Sequence, residues 1–368
     1  MFVVSEDWYF VSHRFDLAKR AMVEGWTVIV ACRQAASVEQ IESAGIGCRD
    51  WNMPRGSINP FTLLRSVWTL RKEIKEFEPN QIHAVSIVTV ALARLALIGL
   101  GHISLVGTVA GLGRFGSTNV VLQSLLKPGL KAFGRWASSG EESWLVVQNS
   151  DDFKLLSSGL TSHLRIRLIP GSGINPAEFP PTHAATKELV TITLMARMIR
   201  DKGIVEFVQA VEILAAWGLN VRGLLVGNPD SGNPRSLSPE ELAVLTAGTL
   251  VEWLGHRDDS HQIIADTDIV CLPTYYGEGI PRVLLEAGCV GRPIVSCRVP
   301  GPKDLVREGI DGLLVEPQNA DELADALAKL VTDRSLRREM GESLHERVVR
   351  DFSNTKILAS YLDLYRSH

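Results

Sequence analysis

The sequence predicts an α/β protein of two domains, each a parallel β-sheet with helices on both faces. Three observations predict it. Strand-like apolar runs alternate with helical periodicity from one end to the other. The runs are continuous in hydrophobicity, as in strands buried on both faces. At 368 residues the chain exceeds one ordinary core.

In the first half the strands read FVVS (2–5), WTVIVAC (26–32), QIHAVS (81–86), HISLVGTV (102–109), WLVVQN (144–149) and IRLIP (166–170). The second half repeats the pattern with LVTITLMAR (189–197), VRGLLVG (221–227), VEWLG (251–255), DIVCLPT (268–274), RPIVSC (292–297) and GLLVEP (312–317). Residues 171–188, GSGINPAEFPPTHAATKE, are rich in proline and small polar residues and read as a linker. The expected domains are therefore 1–172 and 173–351. After residue 319 the chain reads as helical, and residues 352–368 are expected to form a helix returning to the N-terminal domain.

Composition excludes several classes. Five cysteines, with no C-x-x-C spacing, suggest neither a disulfide framework nor a zinc knuckle and fit a reducing cytoplasm. The N-terminus opens on a strand-like MFVVS, unlike a signal peptide. Residues 84–113 are long and apolar enough to suggest a membrane span. Arg94 falls near their centre, however, and GLGH divides them into a helix and a β-rich piece, so a buried helix followed by a strand is expected. Net charge is −4 but uneven: residues 1–172 hold 18 Lys and Arg against 14 Asp and Glu, which suits an anionic partner or membrane surface better than the acidic remainder does.

Ligands of open α/β sheets bind beyond the carboxyl ends of the strands, so the loops that follow strands carry the candidate chemistry. One is YYGEGIPRVLLEAGCV (275–290), with Glu278 at the mouth of a site, Pro281 in the first turn of a helix and Glu286 about one and a half turns in. The amides of Gly279 and Ile280 would meet hydroxyl or phosphate oxygens at the positive helix end. Two carboxylates with such amides suit a hydroxyl-rich ligand; an exposed loop acid and a satisfied core acid explain them equally well. The second loop is ARMIRDKG (196–203), where Arg197 and Lys202 would form a diphosphate site without metal, a guanidinium fork beside a mobile ammonium. A solvated basic turn is its bland alternative.

Other patterns carry less. GLGRFG (111–116) matches G-x-G-x-x-G but follows an interior strand and has no acid ending a strand some 20 residues on, against a nicotinamide or flavin site. The acids of DTD (266–268) read as solvent-facing residues at a strand start, and NSDDF (149–153) as a helix cap. His13, His83 and His256 sit near predicted strand ends, and none of the three has a neighbour at metal-ligand or triad spacing. Two basic helices, 59–77 with Arg65, Arg71, Lys72 and Lys75, and 126–136 with Lys127, Lys131 and Arg135, fit an anionic membrane surface or ordinary solvent.

The motifs GEGIPRVLLEAGCVGRPIV, ARMIRDKG, GSGINPAEF and VREGIDGLLVEP, with the opening SEDWYFVSHRFDLAKRAMVEGWTVIV, resemble family 4 of the retaining glycosyltransferases over nearly the whole chain. GLGRF and VVQNSDDF resemble members that build bacterial surface polysaccharides or lipid-linked oligosaccharides. The resemblance implies the GT-B fold, two Rossmann-like domains facing across a cleft. It implies a hexosyltransferase taking a nucleoside-diphosphate sugar, UDP in preference to GDP, to a glycan or polyprenyl-diphosphate-linked acceptor, without metal or other cofactor and without nucleic acid. Arg197 and Lys202 would hold the diphosphate, Glu286 the ribose hydroxyls and Glu278 the transferred sugar, making Arg197, Lys202 and Glu278 the catalytic set. Gly279, Ile280, Pro281 and Val283 would line the donor site, and Arg257 in LGHRDD would lie by the base. Relatives carry a glycine pair in the first loop and a histidine in TxHG; here these are SEDWYFVSH and TVAG, with Ala110, leaving His13, Gly111 and Gly113 as candidates for the sugar or acceptor side. The positive first half, together with the lipid-linked acceptors that the resemblance implies, leads to the expectation of a cytoplasmic protein peripheral to the inner face of the membrane. A sugar-nucleotide epimerase of the same fold and a non-catalytic nucleotide-sugar-binding protein are the alternatives.

Overall fold

A computed structural model describes the chain except residues 52, 54–58, 113–119, 140–142, 159–164, 172, 183–187, 231 and 368, and the side chains of residues 120–126. It divides into two compact units. The first is built on Met1–Phe115, Asn119–Ser172 and Thr355–His368, the second on Gly173–Asn354.

The first unit holds β1 (Phe2–Glu6), β2 (Ile29–Arg33), β3 (Gly47–Asp50), β4 (Gln81–Val85), β5 (Ser104–Val109), β6 (Ser143–Val147) and β7 (Ile166–Leu168). They form one parallel sheet in the order β3-β2-β1-β4-β5-β6-β7. Side chains alternate across a strand, so one apolar run feeds two cores. Phe2, Val4, Val30 and Cys32 enter a core with Phe10, Leu17 and Tyr361. Val3, Ala31, Ile82 and Ala84 enter the other, with Leu70, Ile74 and Val90. β3 is not evident from the sequence: GCRD has one buried side chain, Cys48, at the sheet edge.

The second unit holds β8 (Val190–Met195), β9 (Val221–Val226), β10 (Val251–Trp253), β11 (Ile269–Leu272), β12 (Ile294–Cys297) and β13 (Gly312–Val315). These too are all parallel, in the order β10-β9-β8-β11-β12-β13. Their core joins Ile192, Leu194, Phe207, Leu284, Leu285 and Leu344, with helices Ile204–Ala216, Arg282–Val290 and Arg334–Asp351 contributing.

The apolar segment 84–113 resolves into the end of β4, the helix Ile87–Ala96 and β5. Arg94 is accommodated by donating to the Ser139 carbonyl and the Ser143 hydroxyl. Among the described residues no helix is long and apolar enough to cross a membrane. All five cysteines are buried thiols.

The last helix, Asn354–Arg366, packs in the first unit through Tyr361 and Tyr365. His83 of β4 is buried there, its Nδ1 2.5 Å from Tyr365 Oη and its Nε2 2.8 Å from Thr108 Oγ1. Burial, then the nearby Arg14 guanidinium and the Met1 ammonium, hold its pKa well below the usual value, so it is neutral when folded. The unfolded chain therefore binds this proton more readily. The contribution of neutral His83 is complete above the ordinary histidine value and is lost as pH falls below about 6.5, by up to about 1.4 kcal/mol per pH unit. Thermal denaturation between pH 7 and pH 5 is expected to show this slope, and a His83→Gln variant a shallower one; equal slopes would contradict the assignment.

Candidate active site

In the second sheet β9 and β10 lie on one side of β8 and β11 on the other, so the strand order reverses between β8 and β11. Loops leaving the carboxyl ends at such a reversal form the natural ligand site of an open parallel sheet. The β8 loop carries Arg197 and Lys202, and the β11 loop carries Thr274, Tyr276 and Glu278.

The two loops are drawn together by their backbones. After β8 a 3-10 turn, Arg200–Lys202, ends at Gly203 with φ +74°, and a Cβ at Gly203 would collide with the Pro273 carbonyl oxygen. Only glycine suits both that conformation and that approach. The Asp201 carbonyl accepts from the Tyr275 amide at 3.1 Å and from the Thr274 hydroxyl at 3.2 Å.

The result is an ion pair across the reversal. Lys202 Nζ lies 2.5 Å from Glu278 Oε1, with the ammonium 5.1 Å from the centre of the Tyr276 ring and the Thr274 hydroxyl 3.4 Å from the same carboxylate oxygen. Lys202 is buried and Glu278 partly so. Burial disfavours the Lys202 ammonium, but the Glu278 carboxylate and Tyr276 outweigh it and raise its pKa. Lys202 is therefore a cation at neutral pH.

Arg197 is neutralised from the neighbouring strand. Its Nη1 meets Oδ2 of Asp230, in the loop after β9, at 2.5 Å, and the Asp230 amide is fastened to Ser236 Oγ at 2.8 Å. Asp230 follows a strand end as the other candidates do, but a lone acid in a loop carries no sequence signal of its pairing. Arg235 adds a brace, pairing with Asp201 and donating to Tyr275 Oη at 2.7 Å.

The helix behind Glu278 runs Arg282–Val290. Pro281 is its N-cap with ψ 131°, not a first-turn residue, because its own backbone is still extended and the helix starts at Arg282. Glu286 consequently lies about one turn in. Its buried carboxylate accepts from Arg282 Nε at 3.0 Å; burial raises its pKa and Arg282 opposes the rise. The amides of Gly279 and Ile280 donate to no acceptor among the described residues. The Glu278 amide donates to the Pro300 carbonyl at 3.3 Å, and Val283 is half-buried on the helix.

Arg257 stands apart. It follows the edge strand β10 and grips Asp259 with both Nε and Nη2, at 2.8 and 2.6 Å, in an exposed pair. His13 belongs to the first unit, at the end of the helix Asp7–His13, where it stacks on Tyr9 at 4.4 Å with Nδ1 2.6 Å from Ser12 Oγ. That helix follows β1 directly, and Asp7 anchors it by accepting from the Ala35 and Ser37 amides at 2.8 Å each. Gly111 follows β5 with φ +143°, and Gly113 lies outside the described residues. Asp268 of DTD is buried rather than solvent-facing, because its carboxylate accepts from the Thr191 amide; Asn149 caps the helix Ser150–Ser157 by accepting from the Asp152 amide, and Asp152 takes the Leu112 amide.

Comparison with known proteins agrees with this architecture. Residues 1–133 match the family described as Glycosyl transferase 4-like, and residues 190–333 the family described as Glycosyl transferases group 1. The N,N'-diacetylbacillosaminyl-diphospho-undecaprenol alpha-1,3-N-acetylgalactosaminyltransferase of Campylobacter jejuni is 25% identical over 354 residues, covering 92% of this chain and 90% of that protein. The UDP-Gal:alpha-D-GlcNAc-diphosphoundecaprenol alpha-1,3-galactosyltransferase of Escherichia coli is 25% identical over 312 residues, 82% of this chain and 79% of that one. The crystal structure of Anabaena Alr3699/HepE in complex with UDP and glucose superposes with a TM-score of 0.77 at 16% identity, over 100% of this chain and 99% of that one, which speaks to the fold. With two parallel-sheet units of the GT-B fold, the first matching the Glycosyl transferase 4-like model and the second the Glycosyl transferases group 1 model, the chain is a glycosyltransferase.

Proposed function

We propose that the chain is a retaining, metal-independent hexosyltransferase that carries a sugar from a nucleoside-diphosphate donor, a UDP-sugar in preference to a GDP-sugar, to a polyprenyl-diphosphate-linked or glycan acceptor. The process served is assembly of a bacterial surface polysaccharide or lipid-linked oligosaccharide, with the protein peripheral to the cytoplasmic face of the membrane. The observation that carries the reading is the Lys202–Glu278 pair at the strand-order reversal, flanked by Arg197 and by two amides without acceptors among the described residues. The C. jejuni and E. coli relatives, named for transfer onto diphospho-undecaprenol acceptors, support the acceptor class, and the UDP-Gal in the E. coli name supports the donor class.

In this reading the diphosphate replaces the carboxylates now holding the two cations. Arg197 leaves Asp230, Lys202 turns from Glu278, and Glu278 is released to accept from a hydroxyl of the transferred sugar. Glu286, held by Arg282, accepts from the ribose hydroxyls, and the Gly279 and Ile280 amides donate to sugar or phosphate oxygens at the helix N-terminus. As the bond from the anomeric carbon to the diphosphate oxygen breaks, negative charge grows on the leaving group, where Arg197 and Lys202 stabilise it. The acceptor oxygen bonds to the anomeric carbon from the same face, and its proton passes to the departing phosphate oxygen. No protein base is required.

A thermal-shift panel of nucleotide sugars tests the donor class: a ligand at one hundred times its dissociation constant adds about 2.7 kcal/mol of stability. Incubating the responding donor with lipid-linked acceptors and reading the product anomer by NMR then tests transfer and retention; an inverted linkage overturns the stereochemical part of the reading. Lys202→Ala is expected to lower turnover by about two orders of magnitude, as loss of one electrostatic donor does elsewhere, and turnover equal to wild type would remove Lys202 from the mechanism. Asp230→Asn, which leaves Arg197 without its competing anion, is expected to tighten nucleoside-diphosphate binding by up to about fivefold, the worth of an exposed ion pair. Weaker binding in a calorimetric titration would show instead that Asp230 helps to hold the ligand.

A further inference from the structure

The helix Pro60–Phe77 of the first unit has two apolar faces, and the chain uses one. Ser66, Leu70 and Ile74 are buried, with Leu63 and Val67 packed beside them, and Trp51 Nε1 donates to the Ser66 carbonyl at 2.9 Å. These residues dock the helix on its sheet. The opposite face carries Phe61, Leu64 and Trp68, which are 81%, 64% and 66% exposed. Their spacing of three and four residues, continued by Arg65, Lys72 and Lys75, places all six in a sector about 100° wide. Arg65, Lys72 and Lys75 are exposed as well. Of the two acids of the helix, Glu73 is half-buried and Glu76 lies in the last turn, beyond the aromatic end. Alongside, Arg71 Nη1 donates to the carbonyls of Ala96 and Ile98, which brings the exposed Ile98 to the flank of the helix.

From this arrangement we infer that the outward face of Pro60–Phe77 is a membrane-docking surface whose partner is an anionic phospholipid bilayer. The occupant follows from charge complementarity. A second protein core would favour an apolar stripe alone, whereas two aromatic rings and a leucine among solvent-reaching cations match an interface with acyl chains beneath anionic headgroups. Phe61, Leu64 and Trp68 enter the headgroup boundary, and Arg65, Lys72 and Lys75 lie among the phosphates. The choice of a bilayer is consistent with the lipid-linked acceptor proposed above and rests on that reading only in this respect.

Vesicle sedimentation without donor or acceptor tests the surface separately from the transferase reading. The full chain is expected to sediment with vesicles of phosphatidylcholine containing 30% phosphatidylglycerol and far less with pure phosphatidylcholine. Lys72→Gln with Lys75→Gln is expected to weaken binding to the anionic vesicles by about 25-fold, near fivefold per cation. Phe61→Ser, Leu64→Ser and Trp68→Ser together are expected to abolish the binding that survives in 0.5 M salt, with no fall in melting temperature because none of the three lies in the core. Quenching by brominated lipid should fall in Trp68→Phe, which disturbs folding least. A wild-type chain that stays in the supernatant with every vesicle, or a triple variant that sediments as wild type does, overturns the proposal. So does a concentration-dependent dimer that the triple variant abolishes, which would make a second copy the occupant.

Discussion

In the proposed reading the second unit's chemistry depends on a buried ammonium, Lys202, which the structure holds against the carboxylate of Glu278 across the point where the sheet's strand order reverses. Removing a cation and an anion from water costs about as much as their attraction returns, so such a pair is weak evidence of stabilisation. Its position is better explained by what each partner can exchange. An ammonium already stripped of water presents its charge to an incoming phosphate at little further desolvation cost, and a carboxylate that gives it up becomes an acceptor for a hydroxyl. The Arg197–Asp230 pair repeats the device with more exposed partners. The site is thus electrically balanced before ligand arrives, and carries fixed positive charge when the acids are displaced or turned.

That balance is set by the backbone. Gly203 allows the β8 loop to lie against the end of β11, and Gly301, with φ +97°, brings the β12 loop against the Gly279 carbonyl, where a Cβ would collide. The parallel sheet puts all of these loops at one edge, and its order puts the cations of β8 between the acids of β9 and β11. The helix Arg282–Val290 then aims its N-terminus at the same edge, adding partial positive charge where the Gly279 and Ile280 amides have no acceptor among the described residues.

Much of this was legible in the sequence, for identifiable reasons. Twelve of the thirteen strands among the described residues fall on strand-like apolar runs of the sequence; β3 escaped because an edge strand with one buried side chain has no such signal. Arg197, Lys202, Glu278 and Glu286 stand out as candidates because they follow strand ends, where a parallel sheet places ligands. What composition and spacing hid were pairings: Asp230 on Arg197, Arg282 on Glu286 and Tyr276 beneath Lys202 depend on strand order and side-chain direction, neither of which a linear pattern states. The outward face of Pro60–Phe77 was hidden for a similar reason. A single apolar stripe through Leu63, Val67, Leu70, Ile74 and Phe77 accounts for the helix, and only burial shows that Phe61, Leu64 and Trp68 lie outside it.

The measurement that bears most directly on the exchange of partners is a crystal structure of the chain with an intact nucleoside-diphosphate sugar. The account requires a phosphate oxygen within hydrogen-bond distance of Lys202 Nζ, Arg197 turned from Asp230 onto the diphosphate, and Glu278 on a sugar hydroxyl. A diphosphate bound elsewhere, with the Lys202–Glu278 and Arg197–Asp230 pairs intact, would contradict it.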